Sequence, residues 1–268
     1  MGVVFAGQGD AGRTLALLWR AAGSPTPRPR GPKPALSVDA IVDAAIEVAD
    51  EQGMAALSMR AVGERLGRTA MALYTYVPNK TELIDLMHDR ALAELPTTYA
   101  TDEGWRAATT RWAGDTWAFY LRHPWVLQVS QARPALGPHE YAALETVVGI
   151  LRATRLPAQG LRRIVGTLFH LVRGAARTAA EARQAASETG VADTEWWSTR
   201  AALLQEVAPD FAESYPMVTW LESAPDTVPA QLADESAPYL EGEAKKAFDA
   251  GLEVLLDGVE AAVARAGG

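Results

Sequence analysis

Near the start of the chain, Gly7-Gln8-Gly9-Asp10-Ala11-Gly12 spells G-x-G-x-x-G between the apolar Val3-Val4-Phe5-Ala6 and a helix-like run from Arg13 to Arg20. In that pattern glycines let the backbone approach a pyrophosphate at a helix N-terminus, which is dinucleotide chemistry. The surroundings do not fit. A dinucleotide unit needs a second parallel strand with an acidic ribose ligand about 20 residues on, and here residues 24–34 are rich in proline and cations. The glycines are read instead as a poorly ordered terminus capping a short helix over 10–22. There is also no G-x-S-x-G, Walker loop, H-E-x-x-H or close His/Asp/Glu grouping with metal spacing, so the common hydrolytic chemistries lack their residues. With no cysteine, thiol nucleophiles, thiolate metal sites and disulfides are excluded as well. No metal, cofactor or catalytic residue is expected.

The more informative chemistry is recognition of phosphate and base edges. Leu57-Ser58-Met59-Arg60-Ala61-Val62-Gly63-Glu64-Arg65-Leu66-Gly67-Arg68-Thr69-Ala70-Met71-Ala72-Leu73-Tyr74-Thr75-Tyr76-Val77 reads as two short helices meeting at Gly67. Glycine turns the chain through positive φ without a Cβ clash, and Val62, Leu66, Leu73 and Tyr76 supply a small shared core. This is a helix-turn-helix. Residues 58–80 carry a net +3 inside residues 37–95, which carry −5, so phosphate attraction is gathered on one face.

The helix at 38–51, Ser58-Met59-Arg60, Leu66-Gly67 and Leu73-Tyr74-x-Tyr76-Val77-x-Asn79-Lys80 together resemble the DNA-binding domain of the TetR family of transcriptional regulators, over about residues 37–85. Downstream, Arg133-Pro134, Glu140-Tyr141-x-x-Leu144-Glu145 and Phe169-His170 make residues 104–265 look like the tetracycline-repressor type of C-terminal domain. Gly63 stands where the motif usually has Ala, and Arg68 occupies a turn position that is usually apolar. The resemblance implies a reading helix at 69–75 in the major groove. Thr69 would cap it and touch phosphate, and Ala70, Met71 and Thr75 would face base edges. Arg60 would read a guanine, while Arg68, Tyr74, Tyr76 and Lys80 would hold the DNA backbone. Just upstream, Arg28, Arg30 and Lys33 lie in a proline-rich stretch that reads either as a minor-groove arm or as a solvated linker.

Seven of the eight tryptophans lie beyond residue 100. Each offers stacking surface and an indole donor, and a small-molecule chamber is expected from Trp112, Trp117, Tyr120, His123, Tyr141, Phe169, His170, Arg173, Trp196 and Trp197. Val129 stands near where the resemblance would place a metal-chelating histidine, so tetracycline is not the expected effector.

Positioning these residues is a task for helices. Ala and Leu dominate, clean period-2 alternation is absent, and Asp39, Asp43, Glu47 and Asp50 recur three or four apart opposite Ile41, Ala45, Val48 and Ala49. The spacing predicts an all-α chain with helices at 38–51, 58–66, 69–76, 79–95, 104–122, 124–132, 138–154, 157–186, 193–207 and 242–265. Ser37 and Asn79 are N-caps, and Glu82 completes a capping box. Three regions follow: an N-terminal extension over 1–36, a helix-turn-helix domain over 37–95 and an effector-binding and dimerisation domain over 96–268. Helix 79–95 is expected to be the only link between the head and the large domain. Ile164, Leu168, Leu171 and Ala175 on helix 157–186, and Phe248, Leu252, Leu255 and Val259 on helix 242–265 with the small Ala247, Gly251, Gly258 and Ala261 beside them, fit either burial within one chain or, as expected here, a four-helix bundle across a two-fold axis.

The chain has 268 residues, a net charge of −8 and no apolar run of membrane-spanning length. A cytoplasmic protein that binds no membrane is expected. The reading is a ligand-responsive transcriptional repressor that binds a palindromic double-stranded DNA operator as a homodimer and is released by a small-molecule effector. The alternative is a helical small-molecule-binding or catalytic protein with a vestigial DNA-binding module.

Overall fold

In a computed structural model, the described residues are 3–21, 36–223 and 238–267. The candidate arm residues Arg28, Arg30 and Lys33 lie outside them. In order, the elements are β1 (Val4–Phe5), α1 (Ala11–Leu18), α2 (Val38–Ala56), α3 (Met59–Leu66), α4 (Ala70–Tyr74), α5 (Lys80–Leu92) and α6 (Gly104–Arg122). They are followed by β2 (Val129–Ser130), α7 (Pro138–Arg152), α8 (Ala158–Thr189), α9 (Asp193–Val207), α10 (Phe211–Ser214), α11 (Pro216–Glu222) and α12 (Tyr239–Gly267). The fold is all-α, with one two-stranded parallel pairing between β1 and β2.

Local chemistry sets the starts of the head helices. The side-chain oxygens of Ser37, Ser58, Thr69 and Asn79 accept the N–H of Ala40, Ala61, Ala72 and Glu82, satisfying donors that the first turn leaves free. α2 continues past its expected end at residue 51, but Gly53 sits at φ 76°, a kink that only a residue without Cβ takes easily.

Two expectations are corrected. Residues 124–132 are not an α-helix but a 3-10 turn over Pro124–Gln128 followed by β2. The reason is Arg173: its guanidinium donates to the carbonyls of Val126, Leu127 and Val129, which a helix would need for its own ladder. The N-terminal glycine run is not a loose terminus either, since β1 pairs with β2, Val4 opposite Val129 and Phe5 opposite Ser130.

The chain divides into two compact units, Met1–Arg173 with Leu252–Gly268, and Gly174–Gly251. In the first, Ile41, Ala45, Val48, Val62, Leu73, Leu83 and Met87 form the core of the head, and Trp112, Phe119, Trp125, Val147, Leu151 and Leu168 are buried further along. In the second, Trp196, Trp197 and Tyr239 form successive edge-to-face contacts at 4.8 and 5.4 Å, and Arg183 pairs with Glu241 at 2.6 Å. α9, α10 and α11 bury no residue. Among the described residues, no helix is long and apolar enough to cross a membrane and no group of three potential ligands could hold a metal ion.

Candidate nucleic-acid interface and effector chamber

The reading head is built around the α3–α4 turn. Gly67 caps α3 at φ 63° and donates its N–H to Glu64, while the Arg68 N–H reaches the Gly63 carbonyl at 2.8 Å. That bond pulls the turn onto α3. A Cβ at Gly63 would stand 2.7 Å from the Arg68 carbonyl oxygen and 3.3 Å from the Ala70 nitrogen. The departure from Ala is therefore a requirement of how tightly this turn closes. Leu73 is fully buried beneath α4 and anchors it.

With Leu73 inward, the rest of the short helix points out. Met71 is 74% exposed, Tyr74 42% and Tyr76 40%, while Arg68, Thr69, Thr75 and Lys80 are also exposed and Ala70 is half-buried. An apolar side chain as open as Met71 suits contact with a partner surface such as thymine methyls. Arg60 is open to solvent but pairs with Glu64 one turn along, N to O 2.8 Å. Arg65, one of the four cations of residues 58–80, is instead held by Glu51 and Glu47 on α2. These bonds raise the Arg65 guanidinium well above its ordinary value and lower the Glu51 carboxyl. Arg65 thus braces α3 against α2, and the exposed cations of residues 58–80 without such a tie to α2 are Arg60, Arg68 and Lys80.

Of the chamber candidates, two pairs meet across α6 and α8. Trp112 on α6 meets Phe169 on α8 edge to face at 5.2 Å, and Tyr120, two turns along α6, lies under the Arg173 guanidinium at 5.8 Å, one turn along α8. Two facing helix surfaces thus carry aromatic rings and a cation already bound to three carbonyls. Trp117 is buried, Tyr141 is exposed and lies 6.3 Å from the Trp19 ring, and His170 is exposed. Trp196 and Trp197 belong to the other unit. Burial raises the Tyr120 phenol, with Arg173 opposing.

His123 does not present a free nitrogen. Its Nδ1 lies 2.8 Å from Asp50 on α2 and its Nε2 3.1 Å from Glu94, while Trp125 Nε1 donates to the same Asp50 at 2.8 Å. Burial pushes His123 down, but the two carboxylates outweigh it and hold it above its ordinary value. Helix α5 is thus not the sole link to the head, because α2 is tied directly to the turn after α6. Sequence reasoning missed Asp50, which reads as one more acid on a solvated face, and also His88 on α5. Burial and the Arg173 charge push His88 down to about 4, and its Nδ1 is buried with no hydrogen-bond partner. Its place between Met87 and Ala91, both buried, was the available signal.

Comparison with known proteins agrees with this geometry. Residues 41–87 match the model of bacterial regulatory proteins of the tetR family, and residues 97–263 match the tetracyclin repressor-like C-terminal domain. The HTH-type transcriptional repressor DrrR1 of Streptomyces coeruleorubidus is 39% identical over 261 residues, covering 97% of this chain and 89% of that one. Among solved structures, the Streptomyces coelicolor TetR family protein ActR in complex with actinorhodin has a TM-score of 0.60 at 24% identity, covering 85% of this chain and 99% of that one. A TetR variant from Acinetobacter baumannii in complex with minocycline has a TM-score of 0.56 at 21% identity, covering 85% and 99%.

Proposed function

The chain belongs to the TetR family and is a transcriptional repressor of it rather than an enzyme, and from that premise we propose that it acts as a homodimer on a palindromic operator and leaves it when a small molecule fills the chamber. The observation that carries the reading is the exposed surface of α4 and the turn after it, with Met71, Tyr74 and Tyr76 open above a buried Leu73. Arg60 would read a guanine. Thr69, Ala70, Met71 and Thr75 would line the groove, and Arg68, Tyr74, Tyr76 and Lys80 would meet phosphates. The DNA-binding domain is proposed to span residues 37–95 and the effector-binding and dimerisation domain residues 96–268.

The dimer is proposed on the small-residue side of α12 that contains the expected Ala247, Gly258 and Ala261, rather than on the apolar stripe beside it. Leu168, Phe248, Leu252 and Val259 are buried within one chain, so they are not free to form a bundle with a second copy. The opposite side of α12 exposes Ala247, Ala250, Val254, Gly258 and Ala261 at helical spacing, with Val254 72% exposed. Small residues let two helix backbones approach closely across a two-fold axis.

The effector is proposed to sit between the Trp112/Phe169 and Tyr120/Arg173 surfaces. The test starts with a gel shift on DNA flanking the chain's own gene, then titrates actinorhodin, with minocycline as the contrast, following tryptophan fluorescence and operator release together. A saturable shift lost with one ligand supports the reading. No shift at any salt concentration favours the helical binding protein with a vestigial head.

A further inference from the structure

We infer that residues 4–19 form a strap that fixes the DNA-binding head against the chamber, with Asp85 on α5 as the positioning residue that the strap grips. The proposal rests on the reading of the chain as a DNA-binding regulator, and it concerns a segment that lies before the matched family region, which begins at residue 41.

The glycine motif that resembles a dinucleotide site is what makes the grip. Gly7, at φ 67°, donates its N–H to both Asp85 oxygens, at 3.0 and 3.1 Å. A Cβ at Gly9 would stand 2.6 Å from Glu82 Cγ, so the strap passes directly over α5. Asp10 then caps α1 by accepting the Arg13 N–H at 2.8 Å. Leu18 is buried, and Trp19 Nε1 donates to the Leu136 carbonyl at 3.0 Å. Arg20 pairs with Asp39 at the start of α2.

The other edge of the strap reaches the chamber. β1 pairs with β2, and the β2 residue Val129 offers its carbonyl to Arg173, whose side chain also lies over Tyr120. A continuous bonded line therefore runs from Arg173 through Val129, β1 and Gly7 to Asp85 on the helix that follows the reading head. An occupant that moves Arg173 would pull on α5 through this line. Without the line, the head would be held less firmly at the angle that DNA requires.

Amide hydrogen exchange on the full chain tests this without a known effector, comparing wild type with Gly7→Pro, which removes the donor and the positive φ, and with Asp85→Ala, which removes the acceptor. In both variants the amides of residues 126–131 and 80–92 should exchange about tenfold faster or more, while α12 keeps its protection and so reports an intact fold. Unchanged exchange over 126–131 in both variants would overturn the strap. A second arm selects duplexes from a random pool with wild type and measures both variants on the selected sequence. Roughly tenfold weaker binding with an unchanged salt slope is expected, because no phosphate contact is removed. Equal affinity despite faster exchange would overturn the positioning role. If wild type selects no sequence, the regulator reading itself fails, and the exchange arm still decides the strap.

Discussion

The clearest residue-scale contrast is among the cations of the head, which the sequence presents as equivalent. Arg65 is committed to Glu47 and Glu51, whereas Arg60 has only its exposed i,i+4 partner Glu64, a pair worth a few tenths of a kcal/mol. Arg60 can exchange that partner for a guanine edge. Arg60→Ala is therefore expected to weaken operator binding by about 1–3 kcal/mol and relax preference at one base position per half-site; a uniform loss over all sequences would make it a phosphate contact. Lys80→Ala should instead weaken all sequences alike and make the salt slope shallower by about one per subunit, as a titration at several salt concentrations would show. Gly63 gives the opposite lesson, because helix propensity alone favours Ala there by about 0.5–1 kcal/mol. The structure places backbone where that methyl would go. Gly63→Ala should therefore lower stability by about 1–3 kcal/mol in thermal unfolding, and a raised melting temperature would show that the turn sits further from α3.

At the scale of elements, α5 carries more than the sequence shows. Its N-cap and its start were legible, as were the helix-turn-helix and most helix positions, because periodicity and capping are local; the expected capping box is not closed, since the Glu82 side chain meets the Asn79 side-chain amide at 3.5 Å rather than the Asn79 backbone N–H. What was not legible depends on chain segments far apart. The bonds from Arg173 decide that residues 124–130 are not α-helical, and Asp85 looks like surface until Gly7 arrives from 78 residues away. Groups on α5 also give it opposing pH responses, His88 against Asp85 and against Asp89, whose carboxyl burial likewise raises. His88 has a folded value of about 4 against an ordinary 6.5, so the unfolded chain binds that proton first and stability falls as pH drops from about 6.5 to 4. Asp85 is pushed up to about 6 by burial and by the charges of Glu82 and Glu140, with the Gly7 N–H opposing. Its contribution runs the other way, present below about pH 4 and lost as pH rises through 6. Because these responses offset one another in the wild type, each should be read from a variant. Relative to wild type, His88→Gln should gain stability as pH falls from 6.5 to 4, by at most on the order of 3 kcal/mol. Asp85→Asn should gain as pH rises from 4 to 6. Parallel unfolding curves for wild type and both variants across that range would refute the assignment.

For the molecule as a whole, one head is not enough. A single helix-turn-helix reaches few base edges, and specific binding requires two heads spaced one turn of DNA apart, roughly 34–36 Å. On the proposed palindromic operator the chain would place two copies about an axis, and a two-fold interface brings the same surface of each copy together. The sequence offered two apolar stripes for this, on α8 and α12, and the buried positions among them face the chain's own core. Periodicity identifies an apolar face but does not say whether its partner is the same chain or another. Of the outward side of α12, the small Ala247, Gly258 and Ala261 were legible in the sequence beside the apolar stripe, whereas Ala250 and Val254 were not, because Val254 reads as one more member of the apolar face. Val254 is the one bulky member of that outward side and 72% exposed, so an acid there would meet its symmetry mate across the axis in a desolvated contact. Val254→Glu is thus expected to shift the sedimenting species from dimer to monomer while the head keeps its fold. Operator affinity should then fall toward the non-specific level, about 10³-fold or more, because each monomer retains only one half-site. If Val254→Glu still sediments as a dimer and binds the operator as wild type does, the interface lies on another face and the α12 stripe has no part in it.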